Sequence, residues 1–489
     1  MGAVHDGRVA SLIGVALFAY YLLILGGHHY SIDGIVTFQA AKQLWFRQSF
    51  LLDPPVKWGP DVVLVNRFSV GFMLAYFPAL ALMTPLAHWM PSLRATPYDP
   101  TLARNPELYG NLAYLLCSWL NPLITALTGS LVFLLSRRLG MTPAWAAIAA
   151  LTYGVASPAA AYARYDFSQP LAGLLLAAAV YALIDAIRHG RLRSFVRAGA
   201  WLGAMILTRP DLGVLIAWIG PWLAAGVRRS GLRAAALRLS AVAVSVLAAA
   251  ALYLLTNHAR FGDWTHTGYA ASTLFPQSRW EVLEGAFGLL VSPGHGVLIF
   301  YPLAWLAVPG LHRLVKEHHP AGALCSGLVP AALALYAAFP IWWAGWSWGP
   351  RFLVPLLPLL AVAATFWAFR GWQRRLRWRT GLFAGLAVLG AVISWNGVLV
   401  DPVLHYRWVQ NALGLPETSA TQFVPAASPL VSGWGLLATT PVDLLLLRTG
   451  EFAGRPGIVA GALIASVLLG GLFWSARGIL EALRGRVSS

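Results

Sequence analysis

Residues 169–197 read QPLAGLLLAAAVYALIDAIRHGRLRSFVR. The stretch 169–187 is an unbroken apolar run near the ~20 residues that a helix needs to cross a bilayer. It gives way at once to Arg188, Arg191, Arg193 and Arg197. An apolar helix closed by clustered arginines reads as a span whose C-terminal end faces the cytoplasm. The same unit recurs along the chain. Apolar runs stand at 11–27, 69–90, 112–135, 143–161, 169–187, 196–208, 211–226, 236–256, 296–312, 321–343, 352–369, 380–400 and 457–475. Alternating ten-residue segments, the mark of a membrane β-barrel, are absent from the sequence.

Composition agrees. Of 489 residues, 58% are hydrophobic and 11% charged, against about 25% charged in soluble domains. Too few polar side chains are present to cover a water-facing surface, and an all-α polytopic membrane protein is expected. Cys117 and Cys325 both fall within apolar runs, so no disulfide framework is expected. The run 11–27 follows a single arginine, Arg8, and reads as an uncleaved first helix.

Arginine placement fixes an expected topology. The clusters at 137–138, 188–197, 228–238, 313–316, 370–379 and 477–486 should all be cytoplasmic. Strict alternation from Arg137 onward satisfies each of them, with 196–208 and 211–226 as a short hairpin broken at Thr208-Arg209-Pro210-Asp211. Runs 11–27 and 112–135 then meet on the outer side, so 69–90 cannot cross. It carries Pro78 and Pro85, which weaken a continuous helix, and juxtamembrane helices within an outer loop 28–111 are expected there. About twelve transmembrane helices result, with both termini cytoplasmic. The net charge of +17 divides by side: the inner segments hold 21 basic and 4 acidic residues, and the rest of the chain 14 of each. The excess therefore reports orientation and contact with membrane lipids, and no nucleic-acid partner is expected.

Three outer regions are long: 28–111, 257–295 and 401–456. Loops of that size are uncommon without a role of their own. In the first, His28-His29-Tyr30-Ser31-Ile32-Asp33-Gly34 places an acid near the membrane surface. Asp33 suits a general base, while Ser31 or Asp33 could equally cap the following helix. Tyr162-Ala163-Arg164-Tyr165-Asp166-Phe167-Ser168-Gln169 forms an outer turn. There Arg164 and Asp166 either pair locally or face the same cleft as Asp33. Trp342-Trp343-Ala344-Gly345-Trp346-Ser347-Trp348-Gly349-Pro350-Arg351 looks like an aromatic belt. Arg351 does not fit that explanation. It opens a helix on the outer side, where neither topology nor the helix dipole favours it, and a guanidinium there suits a phosphate. Arg260, and His295 within Ser292-Pro293-Gly294-His295-Gly296, are further anion candidates, the latter through backbone N–H groups beside a helix start. Arg209 and Asp211 either pair with each other or meet substrate. His28-His29 and His318-His319 lack zinc-site spacing.

Taken in order, the Asp33 loop, Tyr165-Asp166-Phe167-Ser168-Gln169-Pro170, Leu207-Thr208-Arg209-Pro210, Arg260-Phe261-Gly262, Ser292-Pro293-Gly294-His295-Gly296 and Trp346-Ser347-Trp348-Gly349-Pro350-Arg351 resemble the GT-C superfamily of membrane glycosyltransferases. The likeness is to bacterial protein mannosyltransferase and aminoarabinose transferase relatives, over residues 10–400. It implies a GT-C-like catalytic core in 1–400, followed by an outer loop 401–456 and, in 457–489, a last transmembrane helix with a cytoplasmic tail. It further implies transfer of a sugar from a polyprenyl-phosphate donor to a glycan, lipid or protein acceptor at the outer face of the inner membrane, with inversion. Asp33 would be the general base and Asp166 would support the acceptor or a divalent metal, for which no clear ligand set is visible. Arg351, Arg260, Arg164 and His295 would meet the donor phosphate, and Arg209, Gln169 and Trp348 the substrate. Two departures stand out: Gly34 where relatives carry a second acid, and Gln169 where many carry glutamate. A lipid-linked sugar flippase and a non-catalytic scaffold are the alternatives.

Overall fold

The structure, a computed structural model, describes residues 2–58, 61–90, 93, 112–269, 276, 278–317 and 320–484. His318-His319 and most of 91–111 lie outside the described residues. The chain is built of helices. α1 (Gly2–Leu23) leads through a short turn to α2 (Ile32–Arg47), then to an antiparallel hairpin, β1 (Leu51–Trp58) and β2 (Asp61–Val65). This hairpin is absent from the all-α expectation. The apolar run 69–90 is indeed not one helix: α3 (Val70–Ala75) and α4 (Phe77–Trp89) meet at Tyr76, with Pro78 in the first turn of α4. Leu82, Leu86 and Trp89 leave an apolar face of α4 exposed.

The remaining apolar runs all form helices. They are α5 (Leu120–Arg138), α6 (Pro143–Val155), α7 (Gln169–His189), α8 (Leu192–Thr208), α9 (Ile216–Val227), α10 (Leu232–Phe261) and, after α11 (Arg279–Val291), α12 (Ala304–Lys316) and α13 (Pro320–Ala337). Then come α14 (Leu357–Gln373), α15 (Arg377–Leu399), α16 (Pro402–Leu413), α17 (Pro429–Leu436) and α18 (Leu445–Arg484). Among the described residues, eight segments, counting short extensions such as Arg351–Leu356 before α14, are long and apolar enough to cross a membrane. Four of the twelve expected spans give less. α6 and α12 have 13 residues each, about 20 Å, because Pro158 and Pro302 interrupt the runs. α8 has 17 residues. α13 is counted among the shorter apolar helices over Gly322–Ala337. The last helix begins at Leu445, earlier than the apolar run at 457, so it takes in the end of the expected 401–456 loop.

α14 is central, with every residue from Leu357 to Phe369 buried. It lies against α5, α6, α12 and α15. α12 approaches it at Gly310, where a methyl group would overlap the Ala363 backbone; small residues permit such close crossings. α10 and α18 lie at the periphery and turn Leu237, Val244, Leu247, Leu463, Val467 and Phe473 outward. Apolar side chains on the outside of a well-packed bundle belong against acyl chains. Both cysteines are free and buried.

Candidate functional site

The first turn of α2 presents Asp33. Ser31, not Asp33, caps α2: its backbone is extended and its Oγ accepts the Gly34 N–H at 2.9 Å. The Asp33 carboxylate is thereby released from capping. Its Oδ2 accepts from Arg351 Nη2 at 2.5 Å, and the two side chains are 25% and 12% exposed. Arg351 opens the 3-10 turn Arg351–Leu356 ahead of α14. Its Nη1 donates to the Ala344 carbonyl at 3.1 Å, and its guanidinium lies 3.7 Å from the Phe167 ring centre.

Gln169, the first residue of α7, joins Arg351 to a second arginine. With its amide oxygen turned toward the guanidinium groups, it accepts from Arg351 Nε at 3.1 Å and from Arg209 Nη1 at 2.6 Å. Arg209 also grips Asp211 through Nε at 3.0 Å and Nη2 at 2.6 Å. Its guanidinium lies 5.8 Å from the Tyr336 ring and 5.5 Å from the Phe352 ring. A chain of polar groups thus runs from Asp33 through Arg351, Gln169 and Arg209 to Asp211, where four parts of the sequence meet. Tyr269 from the second long outer loop adjoins it. Burial and the nearby Asp33 push its hydroxyl up to about 12, against the pull of Arg67, Arg209 and Arg351. Arg67 lies 5.3 Å from the Tyr269 ring centre.

No family model and no curated protein matches this chain. Among solved structures, two crystal structures of ArnT from Cupriavidus metallidurans are similar. The one bound to undecaprenyl phosphate is 14% identical with a TM-score of 0.45, covering 98% of this chain and 77% of that one. The apo form is 14% identical with a TM-score of 0.49, covering 99% and 78%. The likeness is overall and distant. At these values it fixes no residue's role.

Behind the Asp33 turn lie two buried acids. Asp166 does not pair with Arg164. Its Oδ2 lies 2.7 Å from His29 Nδ1, and its Oδ1 accepts from the Tyr30 N–H at 3.2 Å and from Ser31 Oγ at 3.1 Å. Its side chain is 0% exposed, so it is set behind Asp33 rather than beside it in a cleft. Arg164 turns instead to Asp443, from the last outer region, at 2.6 Å. Asp443 also meets His28 Nε2 at 2.8 Å and accepts from the Tyr30 hydroxyl at 2.9 Å. Burial opposes charge on His28, but Asp443 beside it prevails and holds the ring protonated up to about 9. Asp443 itself, despite burial, is held well below the usual carboxylate range by Arg164 and His28.

Four anion or substrate candidates are held as internal braces. Arg260 directs Nη1 to the Asn66 and Phe68 carbonyls at 3.0 and 2.7 Å, Nε to Thr256 O at 3.1 Å and Nη2 to Asn257 Oδ1 at 2.7 Å. It clamps the end of α10 to the first outer loop and has no fork left for a phosphate. Arg164 is likewise fully buried within the Asp443 network. At 292–296 the backbone N–H groups are taken: Gly294 by Gln422 O, His295 by Ser292 Oγ and Gly296 by Ser292 O. The buried His295 ring meets the Ser347 carbonyl and the Tyr406 hydroxyl. Trp348, also buried, donates to Asn396 Oδ1 at 3.0 Å and is held inside the protein rather than at its surface.

Among the described residues no group of three or more His, Cys, Asp or Glu side chains could hold a metal. Both oxygens of Asp166 are committed to protein donors, so the arrangement does not fit the divalent metal that the resemblance allows. The sequence signals missed His28, His29, Tyr269 and Asp443. Asp443 and His28 are 415 positions apart, and no local pattern joins them.

Proposed function

We propose that the protein transfers a sugar from a polyprenyl-phosphate-linked donor to an acceptor hydroxyl at the outer face of the cytoplasmic membrane. The observation that supports this reading is the run Asp33–Arg351–Gln169–Arg209–Asp211, in which the partly exposed Asp33 carboxylate meets one guanidinium directly and a second, itself paired with Asp211, through Gln169. A glycosyl transfer needs a base for the acceptor proton and cations for the departing phosphate. In the proposed step the acceptor oxygen attacks the anomeric carbon and its proton passes to Asp33. The bond from that carbon to the phosphate oxygen breaks, and the negative charge left on the phosphate is met by Arg351 and Arg209. A single in-line displacement inverts the anomeric configuration. A planar guanidinium takes two phosphate oxygens at once, and as Arg351 turns toward them, Asp33 is freed for the acceptor. The donor's prenyl chain lies in the surrounding bilayer.

The test uses the full chain in lipid nanodiscs, with a polyprenyl-phosphate sugar as donor and extracted envelope lipids and glycans as acceptors. Release of polyprenyl phosphate is expected, together with copurification of a polyprenyl phosphate detected by mass spectrometry. Arg351→Ala should weaken donor binding about tenfold to a hundredfold, the loss of one charge-assisted pair. Unchanged donor affinity in that variant would remove Arg351 from the phosphate site.

A further inference from the structure

Asp166 occupies a place that does not suit an acid touching substrate. Every polar contact of its enclosed carboxylate is with the turn that carries Asp33: His29 Nδ1, the Tyr30 N–H and Ser31 Oγ. Ser31 passes the linkage on, because the same hydroxyl oxygen accepts the Gly34 N–H. The fourth contact is steric. The carboxylate packs directly on Gly34, where a Cβ would overlap its Oδ2, Cγ and Cβ atoms. Residues 29, 30, 31 and 34 are therefore all referred to one side chain from another outer turn, and Asp33 lies between them.

Building on the transfer reading above, we propose that Asp166 is a positioning residue: it sets the 29–34 turn and so aims the Asp33 carboxylate. Gly34 is glycine because Asp166 needs its space. A side chain at 34 and the Asp166 carboxylate compete for one volume.

Asparagine separates positioning from direct chemistry. Its Oδ1 can keep both the Tyr30 and Ser31 donors, and its amide N–H₂ can donate to His29 Nδ1 once the neutral ring adopts the other tautomer. Asp166→Asn should therefore keep most of the wild-type turnover. Asp166→Ala should lower kcat about a hundredfold, the scale of a misplaced catalytic group, with the acceptor KM unchanged. Gly34→Ala should be comparably harmful alone and add little in the Asp166→Ala background, where the space is open; contacting sites show such non-additivity.

Loss of turnover in Asp166→Asn as severe as in Asp166→Ala would overturn the proposal, and so would multiplicative losses for the Gly34 and Asp166 changes. The same cycle read as Tm does not depend on turnover: the Tm drop of Gly34→Ala should vanish in the Asp166→Ala background, and its persistence there would also overturn the proposal. A wild-type protein that transfers no sugar contradicts the transfer reading. An active wild type with an inactive Asp166→Asn contradicts only this inference.

Discussion

Arg164, Arg260 and Arg351 look alike in the sequence as phosphate ligands and Arg209 as a substrate contact, and their surroundings separate the four. Arg260 is ringed by carbonyl oxygens that have no other use for a cation. Arg164 faces a buried carboxylate. Arg209 and Arg351 share the neutral Gln169, each holding one acid, and remain partly exposed. The expectations that single out Arg351 and Arg209 could be read from the sequence, because both depend only on local sequence and expected sidedness. What Arg260 does was not, since its acceptors at 66 and 68 lie nearly two hundred positions away. Arg260→Ala should behave as a stability variant. Leaving its buried acceptors unpaired costs about 1–3 kcal/mol, so thermal unfolding in detergent should shift down while donor affinity stays at the wild-type value. A loss of donor affinity with unchanged Tm would return Arg260 to the phosphate site.

The element that matters most is the turn between α1 and α2. It is held from two sides, by Asp166 through His29 and by Asp443 through His28 and the Tyr30 hydroxyl. This contact gives the last outer region, whose role the sequence left open, a part in ordering the Asp33 turn. It also makes that turn sensitive to pH. His28 faces Asp443, Asp401, Tyr30 and His29, with Arg164 beyond. Its folded pKa of about 9 exceeds the ordinary value of about 6.5. The stabilisation is therefore complete below about 6.5 and lost as pH rises through about 9. The contribution of Asp443, whose pKa is lowered, is present throughout this window and disappears only in acid. Tm of the wild-type protein should fall between those two pH values, and His28→Gln should flatten the profile. Parallel profiles for the two proteins would exclude this linkage. Ser31 as cap was one of two readable options. The hairpin β1–β2 escaped notice although Trp58-Gly59-Pro60-Asp61 followed by Val62 and Val63 carries turn and strand chemistry.

Across the whole molecule, acids pair with arginines that the sequence places on the same expected side. The four acids assigned to the inner side all pair with arginines assigned there: Asp6 with Arg137, Asp185 with Arg138, Glu317 with Arg313 and Arg370, and Glu481 with Arg477. Asp33, Asp211 and Asp443 pair with outer arginines. Apolar runs and charge clusters are local signals, so the helices could be placed from sequence alone. Their lengths were less legible, because Pro158 and Pro302 shorten helices within runs that look continuous. The candidate site was legible in part: Asp33, Arg351, Gln169 and Arg209 converge, while Asp166, Arg164, Arg260, His295 and Trp348 are held within the protein. The most direct test of the proposed transferase is turnover by Asp33→Asn in nanodiscs beside the wild type, with donor binding measured in the same preparations. Loss of the base should lower turnover about a hundredfold or more while the donor still binds; turnover equal to the wild type would contradict the central claim.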